Sequence, residues 1–313
     1  MTRQHDAPTV NEVAGIAAKL LGRSVDYITR FSPTHGGSAS FSYRCQLAGR
    51  ELLIKINKRA NQPIGVYYHR RLMEAGVPVP ELIAFDADAG RQGQGCAIFE
   101  WVEGVPAEFD CASGPPYDEA ELGQILRAVH DLAHHDGFGP LDDAGRGSSR
   151  TWSEALLSTW HIARCVERGA FDSNLAARLR ALPQRFDTEL ASARTGLIHY
   201  EDIMFNGNLI VGGNRRIAAV LDFAGAIAGD PMWELMWFDY YFGEYGYYQR
   251  TAASFSLARF RCAYGIEYDP RAPLQRLYLI SAVLEKLSFL PLHDPRAAHH
   301  RSMLAELVAE LEN

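Results

Sequence analysis

Apolar residues recur along this chain in two rhythms. From Thr9 to Leu21 they fall at helical spacing, with Val10, Val13, Ile16, Ala17, Leu20 and Leu21 on one side, the pattern of an amphipathic helix. From Ile28 to Ile56 the rhythm changes to alternation. Ile28–Phe31 opens it, and Phe41, Tyr43, Cys45 and Leu47 resume it. Ala48-Gly49-Arg50 turns, and Leu52 to Ile56 returns. Successive strand residues face opposite sides, so this stretch predicts an antiparallel sheet. Helix is expected again from Pro63 to Ala75, closed by Gly76-Val77-Pro78-Val79-Pro80. Two further strands fall within 81–104, the second at Cys96–Phe99.

The remainder reads as mostly helical. Asp118 to Ala133 carries a stripe of Leu122, Ile125, Leu126, Val129 and Leu132, and helices are expected over 152–167 and 173–192. Three short apolar runs interrupt them: Leu197-Ile198, Leu209-Ile210-Val211 and Ile217 to Leu221. Gly212-Gly213-Asn214 between the last two accepts positive φ easily and predicts a hairpin. Asp230-Pro231 is a helix start signal ahead of Trp233 to Tyr241. Helical spacing returns at Leu274–Leu290 and Met303–Leu311. The chain therefore reads as α+β, with its sheet in the first hundred residues.

Length and composition narrow the setting. The 313 residues are 47% hydrophobic, enough for one large domain or two lobes. No apolar run is long enough for a bilayer, and the first residues lack the apolar core of a secretory signal. The five cysteines (45, 96, 111, 165 and 262) show no metal-ligand spacing, which suits reduced thiols in a cytoplasmic protein. A net charge of −7 argues against a nucleic-acid partner and is compatible with a cationic small molecule. His134-His135 runs at once into the turn Asp136-Gly137, without a matching cluster. Only four lysines occur, Lys19, Lys55, Lys58 and Lys286, so Lys55 in mid-strand stands out. Alternation places it with Leu53 and Asn57, opposite Leu52, Ile54 and Ile56.

The densest chemistry lies in 197–231. A polar loop with His199, Glu201, Asp202, Asn206 and Asn208 follows the first short apolar run, and Asp222 ends the hairpin. Carboxylate and amide oxygens in that layout suit magnesium carrying a polyphosphate, because the ion takes few protein ligands and fills its shell with water and phosphate. The small-residue loop Gly36-Gly37-Ser38 could cover phosphates through its backbone N–H groups.

The ordered set, His-x-acid, Asn, hairpin, apolar-Asp-Phe and Gly-Asp-Pro, resembles the aminoglycoside phosphotransferase and choline kinase-like family, relatives of protein kinases. Gly137 to Leu141 followed by Thr151-Trp152-Ser153-Glu154 is similar to its hygromycin B phosphotransferase branch. The resemblance implies a two-lobed kinase-like fold. Residues 1–102 would form a nucleotide-binding lobe, with a hinge near 99–103. Residues 103–313 would form the catalytic and substrate-binding lobe. It implies ATP or GTP with Mg2+, Lys55, Gly37 and Ser38 at the phosphates, and Glu100 and Val102 at the base. Asp202 would be the catalytic aspartate and Asn208 with Asp222 would hold the metal. The loop is longer than the family's, and family spacing counted from His199 selects Glu201 with Asn206 instead. Asp230 would brace the loop. The acid that normally braces the lysine from the following helix is missing from Ile64 to His69.

Asp239, Tyr241 and Glu244 lie in an aromatic, acidic stretch and are expected in the acceptor pocket. The implied function is O-phosphorylation of a small polar molecule, foremost an aminoglycoside or aminocyclitol, hence antibiotic resistance. The alternatives are a kinase of another metabolite alcohol (choline, amino sugar or homoserine type) and a weakly active nucleotide-binding member of the fold. Oligomeric state is not set by any of these patterns.

Overall fold

A computed structural model of the chain describes residues 7–31, 40–59, 65–90, 93–108, 114–134, 136–200, 203, 207–243 and 255–312. Helix α1 (Val10–Leu21) comes first. The Thr9 hydroxyl accepts from the Glu12 N–H while the Glu12 carboxylate accepts from the Thr9 N–H at 2.8 Å, so two orphaned donors are satisfied reciprocally. There follow β1 (Tyr27–Phe31), β2 (Ser40–Leu47), β3 (Arg50–Asn57), α2 (His69–Glu74), β4 (Leu82–Asp86) and β5 (Cys96–Glu100). The five strands form one antiparallel sheet in the order β1-β2-β3-β5-β4.

Its two faces differ as the alternation requires. Leu52, Ile54 and Ile56 pack with Tyr43, Cys45 and the Val13–Ala17 side of α1. Leu53 packs on the other face with Ala97 and Phe99 of β5. Register sets Leu53 opposite Phe99 and Lys55 opposite Ala97, so Lys55 shares that second face.

Past the sheet come β6 (Val105–Pro106), α3 (Glu119–His130), β7 (Phe138–Leu141), β8 (Gly147–Ser149), α4 (Trp152–Thr159), α5 (Ile162–Glu167), α6 (Ser173–Ala181) and α7 (Asp187–Ser192). They are followed by β9 (Gly196–Ile198), β10 (Leu209–Val211), β11 (Ile217–Val220), β12 (Ile227–Gly229), α8 (Pro231–Phe242), α9 (Leu257–Tyr264), α10 (Pro273–Phe289) and α11 (Pro295–Glu312). This helical part is built on buried tryptophans. The Trp160 and Trp233 indoles both donate to the Ser281 hydroxyl, at 2.7 and 2.8 Å, and Trp152 donates to Tyr278 at 3.1 Å. These three large rings are thus buried with their indole donors satisfied, whereas the buried Trp237 Nε1–H meets no acceptor.

The expected 152–167 helix is two helices, α4 and α5, separated at His161, whose φ is +41°. The expected 173–192 helix breaks at Pro183, which cannot donate an N–H and starts a short 3-10 turn. Within the described part of Pro63–Ala75, helix begins only at His69. That helix, α2, leans on both parts of the protein. Tyr68, Leu72 and Val77 belong to the large helical core. Tyr68 bonds His134, and Arg71 donates to the Ala133 carbonyl at 2.8 Å.

Candidate active site

Asp222 closes the β10–β11 hairpin, and Lys55 stands on β3, 167 positions earlier. The fold brings Lys55 Nζ to 3.4 Å from Asp222 Oδ1. The hairpin also sets Asn208 beside them. Leu209 pairs with Val220, and the Leu221 N–H donates to the Asn208 carbonyl at 2.7 Å, so Asn208 lies across from the residue preceding Asp222. Lys55 and Asp222 are both partly open to solvent, at 21% and 41% side-chain exposure. The Lys55 charge holds the Asp222 carboxyl below the usual carboxylate range, outweighing the opposing effect of burial.

Two backbone positions here are strained. Asp222 has φ +63° and Tyr200 has φ +99°. The left-handed region is tolerable for Asp and unusual for Tyr, and such residues gather where neighbours over-determine them. The neighbours are visible. The His199 ring meets Phe223 edge to face at 4.7 Å, and its Nε2–H donates to the Leu221 carbonyl at 2.7 Å. The His199 N–H in turn donates to Glu234 Oε2 at 3.1 Å, an oxygen that also accepts from His130 Nε2 at 2.8 Å. His130 Nδ1 accepts from the Tyr264 hydroxyl at 2.8 Å. One acceptor and one donor make the neutral imidazole fully satisfied. Burial, with the Arg194 charge behind it, pushes its pKa down to about 3. A chain of bonds therefore runs from α3 through α8 to the residue before Asp222. His130 is a packed histidine, as its place beside the α3 stripe suggests. Glu234 was missed; the only signal for it was its position one turn inside the helix that starts at Asp230-Pro231. Asp230 caps that helix through the Met232 N–H and accepts from Tyr278 at 2.7 Å.

The segment expected as a hinge is anchored at both ends. The Glu100 N–H donates to Glu81 and the Trp101 N–H to Glu51, at 2.9 and 3.0 Å. The Trp101 ring lies edge-on to Phe31 and beneath the Arg44 guanidinium at 4.3 Å. The Glu100 carboxylate pairs with Arg50 at 3.8 Å. Beyond Val102, β6 joins the hairpin as the third strand of β11-β10-β6.

Two expected acceptor residues are placed differently from that expectation. Asp239 is 1% exposed and is engaged by Arg261 and the Tyr268 hydroxyl. Tyr241 is 4% exposed, packed on Trp237 with the Lys286 ammonium 5.2 Å from its ring. Their charge and ring faces are spent on the core, because the partners arrive from α9 and α10 and no local pattern announces them. Glu244, the third acceptor residue, lies outside the described residues. So do Asp202 and Glu201, Asn206, and Gly37 with Ser38.

The donor set suits a magnesium–nucleotide. Asp222 offers a carboxylate kept ionised by its neighbour, Asn208 offers an amide, and Lys55 supplies the cation that phosphate oxygens need. Among the described residues no group of three or more His, Cys, Asp or Glu gathers around a common point. Nor is any described helix long and apolar enough to cross a membrane.

Hygromycin-B 4-O-kinase of Escherichia coli is 23% identical over 232 residues, 69% of this chain and 64% of that protein. The match thus spans under two thirds of the relative's length. Aminoglycoside phosphotransferase APH(4)-Ia superposes with a TM-score of 0.63 at 18% identity, over 96% of this chain and 99% of its own. A thermostable mutant of it, in a ternary complex with AMP-PNP and hygromycin B, gives 0.63 at 19% over 95% and 98%. A Thermobifida fusca YX-ER1 protein assigned as a fructosamine-3-kinase gives 0.62 at 21%, over 97% and 99%. These likenesses establish a shared kinase-like fold. The model of the phosphotransferase enzyme family matches residues 32–274. That span takes in most of the chain, with β3 and the hairpin well inside it, and the chain belongs to the phosphotransferase enzyme family.

Proposed function

We propose that this protein transfers the terminal phosphoryl group of ATP or GTP to a hydroxyl of a small, polar, cationic molecule, with an aminoglycoside or aminocyclitol as the acceptor class. The observation that carries the reading is the approach of Lys55 to Asp222, 3.4 Å, where sheet and hairpin meet. Such transfers need positioned charge far more than covalent chemistry.

In this reading residues 1–102 and 103–313 act as two lobes about a hinge at 99–103. Backbone near Glu100 and Val102 receives the base, and Gly37-Ser38 covers the phosphates. Lys55 neutralises phosphate oxygens. Asn208 and Asp222 hold the metal, with Asn206 as the alternative to Asn208. A magnesium ion held by these residues would offset the charge of the phosphates. Asp202, or Glu201 in the alternative register, orients the acceptor hydroxyl and takes its proton as oxygen bonds to phosphorus and the bond to the leaving diphosphate breaks. His199, fixed by Glu234 and Leu221, keeps the loop's entry rigid.

Nucleotide use is supported by the AMP-PNP bound in the APH(4)-Ia complex, and the acceptor class by the relative named for hygromycin B. The same fold in a protein assigned as a fructosamine-3-kinase keeps a metabolite alcohol as the second reading. The test is ADP or GDP release against a panel of aminoglycosides and metabolite alcohols, with Asp202→Asn and Glu201→Gln alongside. Aminoglycoside-stimulated release, lost in Asp202→Asn, is expected. Stimulation only by a metabolite alcohol replaces the acceptor class. Loss in Glu201→Gln with an active Asp202→Asn reverses the register. Nucleotide binding without magnesium dependence or acceptor-stimulated release rejects the enzymatic reading.

A further inference from the structure

Helix α2 offers no acid to Lys55, and the structure shows why one would not fit a turn earlier. Gly65 has φ +78°, and a Cβ there would stand 2.3 Å from the Phe223 carbonyl carbon. A side chain at Gly65 would strike the loop that carries Asp222. Four residues later His69 opens α2. It is 6% exposed. Its ring lies 5.0 Å from the Phe99 ring. Phe99 and Ala97 share a face of β5, and they pair with Leu53 and Lys55, so His69 covers the sheet face from which Lys55 rises. His69 Nδ1–H donates to the Gly65 carbonyl at 3.3 Å, leaving Nε2 a bare acceptor. That nitrogen is buried and has no hydrogen-bond partner. Burial foremost, with the nearby Lys55 charge adding to it, holds the imidazole below its ordinary pKa, so its lone pair stays available. A buried acceptor left unpaired is rare and asks for a purpose.

We propose that His69 is the positioning residue for Lys55: its Nε2 accepts a hydrogen bond from the Lys55 ammonium once a magnesium–nucleotide engages the Asp222 carboxylate. The inference rests on the phosphotransferase reading of Lys55 and Asp222. An ammonium carries three donors. Asp222 accepts one in the structure, and the phosphates need another. When the carboxylate turns to the metal, His69 supplies a neutral holding point at the place where kinases otherwise use an acid.

The experiment is calorimetric binding of Mg·AMP-PNP to the full chain in a double-mutant cycle of His69→Leu and Lys55→Ala, with thermal unfolding as the control for folding. His69→Leu is expected to weaken binding by about tenfold to a hundredfold, the range of one charge-assisted hydrogen bond. In the Lys55→Ala background it is expected to change binding little, since the partner is gone. His69→Gln keeps an acceptor oxygen and is expected to lose less than His69→Leu. Should the leucine variant fail to fold, the glutamine variant carries the test: a folded His69→Gln that binds as poorly as Lys55→Ala overturns the proposal. So do equal losses in both Lys55 backgrounds, or a His69→Leu protein that binds like the wild type. Wild-type protein that does not bind Mg·AMP-PNP would instead remove the phosphotransferase reading itself.

Discussion

Glu234 shows how much one carboxylate can organise. It is fully buried, and one of its oxygens receives both the His199 N–H and His130 Nε2. Truncating one member of such a buried set leaves the others desolvated, which costs about 3–5 kcal/mol in comparable pairs. His130 adds a pH signature. Its folded pKa is about 3 against 6.5 in the unfolded chain. Between those values the unfolded chain binds the extra proton. Its contribution is therefore whole above pH 6.5 and is lost as the solution is acidified below it. The slope approaches about 1.4 kcal/mol per pH unit. Urea unfolding at pH 7.0 and 5.5 is expected to show this fall, and His130→Gln to flatten it. Equal slopes in the two proteins would mean that another group titrates.

Elements were legible where one face had to be buried and opaque where the reason lay elsewhere in the chain. The alternation in β3 located Lys55 and its face directly. The break at His161 depends on an unusual φ that no composition announces, and the two-residue β6 has no pattern at all. Asp239 misled because an acid among tyrosines looks like a pocket, while its Arg261 partner sits on another helix. Likewise the missing acid of α2 could be seen in the sequence, whereas the orphaned nitrogen of His69 could not. Gly65 is the element-scale test of the junction. Alanine there faces both a left-handed φ, worth about 1–3 kcal/mol, and the Phe223 backbone. Gly65→Ala is expected to lower the melting temperature and to weaken Mg·AMP-PNP binding together, since the loop it displaces bears Asp222. A stable variant that binds normally would show that the loop yields freely.

At the scale of the molecule there are two main apolar clusters, one behind the sheet and one among the helices. Leu72 of α2, with Tyr68 just before it, belongs to the second, although α2 lies between strands of the first part in the chain. Trp101, in the segment proposed as a hinge, is held against the sheet by Phe31 at 5.3 Å and by Arg44. Trp101→Ala is expected to raise the nucleotide dissociation constant about tenfold while leaving the far-UV circular dichroism unchanged. An unaltered constant would show that the backbone bond to Glu51 suffices.

The pairing of Val105–Pro106 with β10 has a mechanical corollary. Only two residues separate Val102 from a strand hydrogen-bonded to the one that begins just after Asn208. Pulling on the connection between the halves must therefore tug at the ribbon ending in Asp222. In the proposed reading, ligand arrival at one end and charge alignment at the other would be geared together by a few ångströms of peptide, and a lengthened linker at Gly104 would uncouple them without touching any polar side chain.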